Sequence, residues 1–404
     1  MTMNRPPNRD LRDDRGRVPG IGRSVRPPAR SSVERPVLTY AQMREHESRG
    51  PIPRGSSYEI EVLPGLEEFA MAEVERLPTA TAIRRLPKEG RIACEYFDLL
   101  ETLNELRSVV AVHAVERFDI ANPRALLDDG NMARVIRTAM RIVAAHPANT
   151  FQSFGISAAG SDSPLFQILK REIGARLRLT NVTGPSDLLL AIRRSVGGTS
   201  GWEVLIRTSP RPLSTRQWRV ADMPGALNAT IAHVMVTLAG PRPDEVFVNL
   251  ACGSCTLVVE RLDLGPARMV IAADLDANAL ACAKDNLEAS GHTREVRLLE
   301  RDARDLAFSS GAVDTVVADL PYAMLVGKYD DNQNLYPAIL MEAARLSAPN
   351  GHCLIVTTQH KLMRRILEQS ADVWRVERTV PIKLPYRSGY ITPSIYHLRR
   401  EPSP

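Results

Sequence analysis

The chain has 404 residues, of which 44% are hydrophobic and 25% charged, which is enough for two or three domains with substantial cores. Its apolar stretches fall short of the roughly 18–20 residues that cross a membrane, and its arginine-rich N-terminus lacks the apolar segment of a secretory signal. Five irregularly spaced cysteines argue against a disulfide framework, so we expect a cytoplasmic protein. The net charge of +5 permits a nucleic-acid partner without requiring one.

The N-terminal segment, residues 1–56, is rich in Arg, Pro, Gly and Ser and poor in large apolar residues. Such a segment buries too little surface to offset the entropy of ordering it, so we predict a disordered tail. Its excess of arginine is compatible with a loose RNA-attracting arm and equally with a solvated tail.

Two small α+β modules are predicted next. Residues 57–125 begin with an alternating strand at Tyr58–Val62, and their strand–helix–strand–strand–helix–strand order predicts a ferredoxin-like domain. Residues 126–215 form the second module. It contains an amphipathic helix over Pro164–Leu177 and a hairpin around Gly197-Gly198.

A basic cluster that contains a tryptophan ends the second module. Its members are Arg207, Arg211, Arg216, Trp218 and Arg219. Cations interleaved with an aromatic ring suit phosphate contact and base stacking, so we interpret the cluster as RNA-binding. A solvated face between domains is the alternative.

Residues 216–240 are predicted to form a linker helix, and residues 241–404 then alternate strands with helices. This alternation predicts a doubly wound, mostly parallel sheet, whose ligands bind at the carboxyl ends of the strands. An antiparallel pair is expected at its end. The predicted strands are Val246–Leu250, Met269–Ala273, Val296–Leu299, Val313–Ala318, Cys353–Thr357, Trp374–Val380 and Ser394–Leu398.

A glycine-containing loop, Asn249–Thr256, follows the first of these strands. It is not the GxGxxG of a dinucleotide site, but Gly253 permits close approach of the backbone to a ligand. Cys252 and Cys255 form a CxxC, which raises metal and redox alternatives. No second Cys/His pair at suitable spacing completes a zinc site, so we expect no metal.

Acidic residues follow the next three strands. Asp274 lies where a βαβ unit places the acid that binds ribose hydroxyls, and Asp302 is placed to accept a hydrogen bond from an adenine amino group. The fourth strand, Val313–Ala318, leads into the tetrapeptide Asp319-Leu320-Pro321-Tyr322. This edge would therefore have an acid, a turn-setting proline and an aromatic ring. That combination suits the binding of a flat ring with an amino group.

The loop, the acids and the tetrapeptide together resemble the S-adenosylmethionine-dependent amino-methyltransferases, whose fourth motif is (Asp/Asn)-Pro-Pro-(Tyr/Phe). The N-terminal half resembles the THUMP-domain RNA methyltransferases at Glu61–Glu68, Arg211–Arg219 and Gly225–Thr230. The resemblance spans about residues 57–400. It implies a ferredoxin-like domain, a THUMP domain over 126–215 and a Rossmann-like class I methyltransferase domain that acts on guanine N2, most often in tRNA.

The resemblance also implies roles for individual residues. The implied cofactor-binding residues are Asn249, Ala251, Cys252, Gly253, Ser254, Thr256, Asp274, Leu275, Asp302, Ala303 and Asp319. The implied catalytic residues are Asp319, Leu320, Pro321 and Tyr322. Lys328 lies in the polar stretch Ala323–Asn334, which we expect to form a wall or lid beside the base. Lys328 is a candidate phosphate contact or simply an exposed loop lysine.

Some positions depart from the family pattern. The family loop usually starts Asp-Pro and ends Gly-Ser-Gly-Thr, whereas this chain has Asn249, Leu250 and Cys255. Leu320 replaces the first proline of the tetrapeptide. An Asp-Leu-Pro-aromatic version occurs in some THUMP-domain tRNA enzymes, so Leu320 favours a tRNA substrate.

The sequence therefore predicts a tRNA guanine-N2 methyltransferase that uses S-adenosylmethionine. We expect a monomer that binds the acceptor-stem region and neither metal nor membrane. A 23S rRNA guanine-N2 methyltransferase is the alternative within enzymes. A non-catalytic RNA-binding protein on a methyltransferase scaffold is the alternative from another class.

Overall fold

The computed structural model describes residues 56–196, 200–321 and 329–402. The predicted N-terminal tail, apart from Ser56, and the Gly197-Gly198 turn lie outside the described residues. Within the described ranges, no helix combines the length and the apolar character needed to cross a membrane.

The first half of the structure is built on one eight-stranded sheet in the order β2-β3-β1-β4-β8-β7-β5-β6. Its strands are β1 Ser56–Glu61, β2 Thr81–Arg85, β3 Arg91–Tyr96, β4 Ala111–Phe118, β5 Ser153–Ala158, β6 Thr180–Asn181, β7 Leu188–Arg194 and β8 Trp202–Arg207. Its helices are α1 Glu67–Val74, α2 Leu100–Leu103, α3 Asp129–Ala144 and α4 Pro164–Leu177, with a short 3-10 turn at Pro123–Leu127.

The two predicted α+β modules share this sheet. The element order β1-α1-β2-β3-α2-β4 matches the order predicted for residues 57–125. Strand β4 then pairs antiparallel with β8, from His113 opposite Arg207 to Phe118 opposite Trp202. Because this pairing makes the two modules continuous, the strands of the second module are fixed relative to those of the first.

The second half contains a seven-stranded sheet in the order β11-β10-β9-β12-β13-β17-β14. Its strands are β9 Val246–Leu250, β10 Met269–Asp274, β11 Val296–Glu300, β12 Val313–Asp319, β13 Ser347–Thr357, β14 Trp374–Pro381 and β17 Ser394–Arg400. Its helices are α5 Ala229–Leu238, α6 Thr256–Leu262, α7 Ala277–Ser290, α8 Tyr329–Leu346 and α9 His360–Gln369. A separate hairpin consists of β15 Leu384–Tyr386 and β16 Gly389–Ile391.

The predicted doubly wound sheet is confirmed. Five strands run parallel, and β14 and β17 form the predicted antiparallel pair. Strand β9 is apolar and wholly buried, as expected of a central strand covered on both faces. The sheet continues through β10 on one side of β9 and through β12 on the other, so the strand order reverses here. Such a reversal opens a crevice at the carboxyl ends of the strands.

Two hydrophobic cores cover the opposite faces of this sheet. Phe247 belongs to a core that continues through α5 and α6 into the first half of the chain. Its neighbours Val246 and Val248 belong to the other core, which contains α8 and α9. This alternation follows from the two-residue repeat of a strand. The core that contains Phe247 packs the second half of the chain directly against the first half.

Candidate active site

A cavity of about 610 Å³ opens at the carboxyl ends of β9, β10 and β12, where the sequence predicts a ligand. Most of the predicted site residues line it. They are Ala251, Cys252, Gly253, Ser254, Thr256, Asp274, Leu275, Asp302, Ala303, Asp319, Leu320 and Pro321. The structure thus brings together residues separated by up to 70 positions, although their individual roles remain predictions.

The loop after β9 folds back sharply. Ala251, Gly253 and Cys255 all have positive φ, at 51°, 52° and 62°. The N–H of Gly253 donates to Asp274 Oδ2 at 2.8 Å. This bond joins the loop to the end of β10 and holds the Asp274 carboxylate beside the cavity.

Asp274 also shapes the turn into α7. Its Oδ1 accepts a hydrogen bond from the N–H of Asp276 at 3.0 Å. Asp276 in turn caps α7, since its Oδ1 accepts from the N–H of Asn278 at 2.8 Å. Leu275, between the two acids, is 61% exposed and presents an apolar side chain to the cavity.

Asp302 is paired with Arg304, a residue that sequence reasoning missed. The Arg304 guanidinium donates from Nε to both carboxylate oxygens, at 2.9 and 3.0 Å, and from Nη2 at 2.6 Å. This pairing holds the pKa of Asp302 below its ordinary value. The carboxyl is therefore an ionised acceptor beside the cavity at neutral pH.

The turn at Asp319–Pro321 is held from α8. The carbonyl of Pro321 accepts from Asn332 Nδ2 at 2.9 Å and from the hydroxyl of Tyr336 at 2.8 Å. The N–H of Leu320 donates to the carbonyl of Val356 on the neighbouring strand. Burial raises the pKa of Tyr336, so its hydroxyl remains protonated. Asn332 and Tyr336 are four residues apart on one helix face, a spacing that offered a signal in the sequence.

The two thiols of the CxxC are buried and free. A hydrogen bond with Cys255 and burial raise the pKa of Cys252 well above its ordinary value. A neutral thiol is a poor nucleophile and metal ligand, which fits a packing role. Across the described ranges, no group of three or more His, Cys, Asp or Glu side chains is arranged to hold a metal ion.

Asn249 does not line the cavity, so its assignment to cofactor binding stays a prediction. Its side chain is buried between the central strands, where Nδ2 donates to the carbonyls of Leu250 and Val317 at 3.2 Å each. Asn249 lies inside β9, whose residues are all buried, whereas Ala251 lies in the loop that follows the strand and lines the cavity.

Burial argues against part of the predicted RNA-binding cluster. Arg207 is 8% exposed and donates to the carbonyls of Ser209, Ser186 and Pro210. Arg216 is equally buried, and its Nε donates to Glu260 Oε1 at 2.8 Å. Both guanidinium groups are committed to protein partners, so the prediction that they contact RNA does not fit the structure.

Trp218 and Arg219, which also belong to the cluster, support the wall of the cavity. Trp218 is buried, and Arg219 stacks on it while donating to the carbonyl of Leu227 and to Thr256 Oγ1, both at 2.7 Å. Arg219 thereby joins the segment before α5 to the loop after β9. Of the five residues in the cluster, only Arg211 is exposed. Tyr322 and Lys328 lie outside the described residues, as does the first half of the predicted wall, residues 323–328.

The cavity wall contributed by residues 223–227 was not predicted as part of the site. It lies directly before α5, and Asn286 of α7 holds the chain that leads into it. Asn286 Oδ1 accepts from the N–H groups of Val220 and Ala221, and its Nδ2 donates to the carbonyl of Ser254. The further lining residues are Met223, Pro224, Gly225, Ala226, Leu227, Leu257, Asp276, Ala279, Arg304, Asp331, Asn334, Leu335 and Ile339.

Comparison with known proteins defines the class. Residues 216–387 match the family described as UPF0020, an RMKL-like methyltransferase domain. The crystal structure of TrmN from Thermus thermophilus superposes with a TM-score of 0.64 at 23% identity, covering 85% of this chain and 99% of that one. The fold of the second half is therefore that of a class I methyltransferase, as predicted. The ferredoxin-like and THUMP assignments remain predictions.

Curated relatives add sequence similarity. The chain is 32% identical over 163 residues to the tRNA (guanine(6)-N2)-methyltransferase of Thermus thermophilus, covering 40% of this chain and 48% of that protein. It is 27% identical over 191 residues to the Bos taurus tRNA (guanine(6)-N(2))-methyltransferase THUMP3, covering 44% and 37%. The chain thus spans about half or less of the length of these relatives. Residues 216–387 are thus similar to the UPF0020 family, and this match covers less than half of the chain.

Proposed function

We propose that the protein transfers a methyl group from S-adenosylmethionine to the exocyclic N2 amino group of a guanosine in tRNA. The observation that carries this proposal is the cavity in which Asp319 and Leu320 stand beside Asp274 and Asp302. The names of the curated relatives support the base, the position on it and the RNA. A cytoplasmic monomer that engages the acceptor-stem region is the finer form of the same proposal.

The residues present fit S-adenosylmethionine. Ribose hydroxyls are donors, and Asp274 offers carboxylate oxygens at the cavity edge. The ionised Asp302 suits an adenine amino group, with Leu275 providing apolar contact. The backbone of Gly253, with its positive φ, permits close approach of the ligand. When bound, S-adenosylmethionine supplies a methyl group already activated by its sulfonium charge.

In our proposal, the chain's own residues position the amino group and make it reactive. An exocyclic amino group is a poor nucleophile because its lone pair is conjugated into the ring. In our proposal, an Asp319 carboxylate oxygen and the Leu320 carbonyl each accept one amino N–H. These bonds orient the nitrogen toward the methyl group and favour its pyramidal form, so positioning supplies much of the acceleration. Asn332 and Tyr336 keep the turn in place by their bonds to Pro321.

The test uses purified protein, labelled S-adenosylmethionine and tRNA transcripts, with nucleosides analysed by mass spectrometry. We expect the label in N2-methylguanosine, and we expect tRNA from a strain lacking the gene to have lost that nucleoside at one site. Label confined to 23S rRNA would replace tRNA as the substrate. Absence of binding at millimolar S-adenosylmethionine would favour a non-catalytic RNA-binding protein.

The Asp319→Asn variant tests the proposed role of the acid. We expect methyl transfer to fall by about 10²-fold or more, since one preorganised electrostatic contact contributes on that scale. Titration calorimetry should show S-adenosylmethionine binding within about threefold of wild type. Asp285→Asn, at an exposed position of α7, is the matched control and should keep wild-type turnover. Wild-type turnover in Asp319→Asn would refute the assignment.

A further inference from the structure

The β15–β16 hairpin leaves the sheet at the edge that carries the candidate active site. It connects Pro381 at the end of β14 to Ser394 at the start of β17, and these two residues pair with each other. Ser394 also pairs with Thr357, the residue after Val356, which lies opposite Asp319. Strand β17 is two positions from β12, a separation of about 10 Å at the usual strand spacing. The start of the hairpin is therefore close to the place proposed for the target nucleobase.

The base of the hairpin is firmly held. The N–H of Lys383 donates to the carbonyl of Pro64, and the N–H of Ile382 to that of Pro393, both at 2.9 Å. His360 Nε2 donates to the carbonyl of Thr392 at 2.7 Å. Gly65 has a positive φ, and a Cβ there would lie 2.1 Å from the carbonyl oxygen of Pro381, so the first half of the chain packs tightly against this base.

The tip of the hairpin presents aromatic and cationic groups to solvent. Leu384 pairs with Ile391 on the face that packs against the protein, which places Tyr390 on the opposite face. Tyr390 is 67% exposed. Arg387 is exposed at the turn, and its guanidinium lies 5.2 Å from the ring centroid of Tyr386. Within the described part of the chain, no acidic side chain forms an ion pair with Arg387.

We propose that the β15–β16 hairpin contacts the RNA strand next to the target nucleotide, with Tyr390 stacking on a base and Arg387 meeting a phosphate. This inference rests on the proposed function, because it takes RNA as the substrate. Stacking on an aromatic ring and a cation on the backbone are the two means by which proteins bind single-stranded RNA. Because the start of the hairpin is firmly held and its tip is exposed, the hairpin presents an aromatic ring and a cation at a fixed distance from Asp319.

Binding of a fluorescent tRNA transcript to the full chain tests the hairpin. We expect Tyr390→Ala and Arg387→Asn each to raise the tRNA Kd by about tenfold, with S-adenosylmethionine binding unchanged. Asparagine tolerates the positive φ at position 387, so the turn is kept. Arg387→Asn should also lower the slope of log Kd against log salt by about one.

Matched controls separate contact from folding. Tyr390→Phe keeps the ring and should bind tRNA like wild type, and Lys284→Ala removes one exposed cation from α7 and should have little effect. Unchanged melting temperatures exclude unfolding. A wild-type Kd in both Tyr390→Ala and Arg387→Asn would overturn the inference and leave the proposed reaction standing. Weakened binding without methyl transfer by wild type would support the hairpin and refute the reaction. No tRNA binding by wild type would refute both.

Discussion

Asp274 is the side chain on which the shape of the candidate cofactor loop depends. One carboxylate oxygen accepts from the N–H of Gly253 and the other from the N–H of Asp276, so the acid joins the loop after β9 to the start of α7. Both backbone segments have N–H groups that need acceptors at this edge. The carboxylate therefore organises the two backbone segments, and in our proposal the same oxygen atoms accept hydrogen bonds from the ribose hydroxyls.

Replacing Asp274 should weaken S-adenosylmethionine binding. Hydrogen bonds to a charged group contribute about 1.5–3 kcal/mol, so Asp274→Ala is expected to raise the Kd by about 10- to 100-fold. Asp274→Asn retains one acceptor and should fall between this variant and wild type. Calorimetric titration measures both, with the exposed Asp285→Asn as the control. An Asp274→Ala variant with wild-type affinity would show that the ribose contact is made elsewhere.

At the scale of elements, helix α6 carries the charge that joins the two halves of the chain. Glu260 is fully buried, with Arg107 Nε at 3.0 Å, Arg216 Nε at 2.8 Å and His233 Nδ1 at 3.2 Å from its carboxylate. Burial opposes ionisation of Glu260, but Arg216, His233 and Arg107 outweigh it and hold the pKa of the carboxyl far below its ordinary value. Because α6 begins at Thr256, the charged cluster around Glu260 also holds the end of the candidate cofactor loop in place.

Removing the charge of Glu260 should destabilise the contact between the two halves of the chain, here called the junction. Glu260→Gln leaves Arg216 buried without its counter-charge, and breaking such a pair costs about 3–5 kcal/mol. Urea denaturation followed by fluorescence should show a correspondingly lower unfolding free energy. Glu288→Gln, at an exposed position of α7, controls for the substitution itself. A loss below about 1 kcal/mol would mean that the cluster does not stabilise the junction.

The order of elements in the second half was predictable, because each apolar run and each turn is encoded locally. Strand β9 has the predicted bounds, and β10, β11 and β12 each extend one residue beyond theirs. The burial of Arg216 was not predictable, since its partner Glu260 lies 44 positions away and an arginine whose partner is unknown is indistinguishable in sequence from a surface cation. The β15–β16 hairpin was missed because three-residue strands carry too little alternation. The shared sheet was missed because the β4–β8 pairing is a long-range contact.

At the scale of the whole molecule, each of the two large sheets contains a buried histidine that resists protonation. Burial lowers the pKa of His113, on β4, to about 4. Burial, Arg399 and His397 lower the pKa of His352, on β13, to about 4 as well. Arg399 donates to His352 Nε2 at 2.7 Å, which requires that nitrogen to be unprotonated. Both halves of the chain therefore have the same dependence on pH at these sites.

The unfolding free energy should fall as the pH drops from about 6.5 to about 4. In this window the unfolded chain protonates both histidines, near their ordinary pKa of about 6.5, whereas the folded protein does not, so acid favours unfolding. At about 1.4 kcal/mol per pKa unit, each histidine contributes about 3 kcal/mol, all of it present above pH 6.5. Urea denaturation at pH 7 and pH 4.5 measures the loss, and NMR titration assigns it. Folded-state titration of His113 and His352 near pH 6.5 would contradict this account, because the folded and unfolded proteins would then bind protons alike.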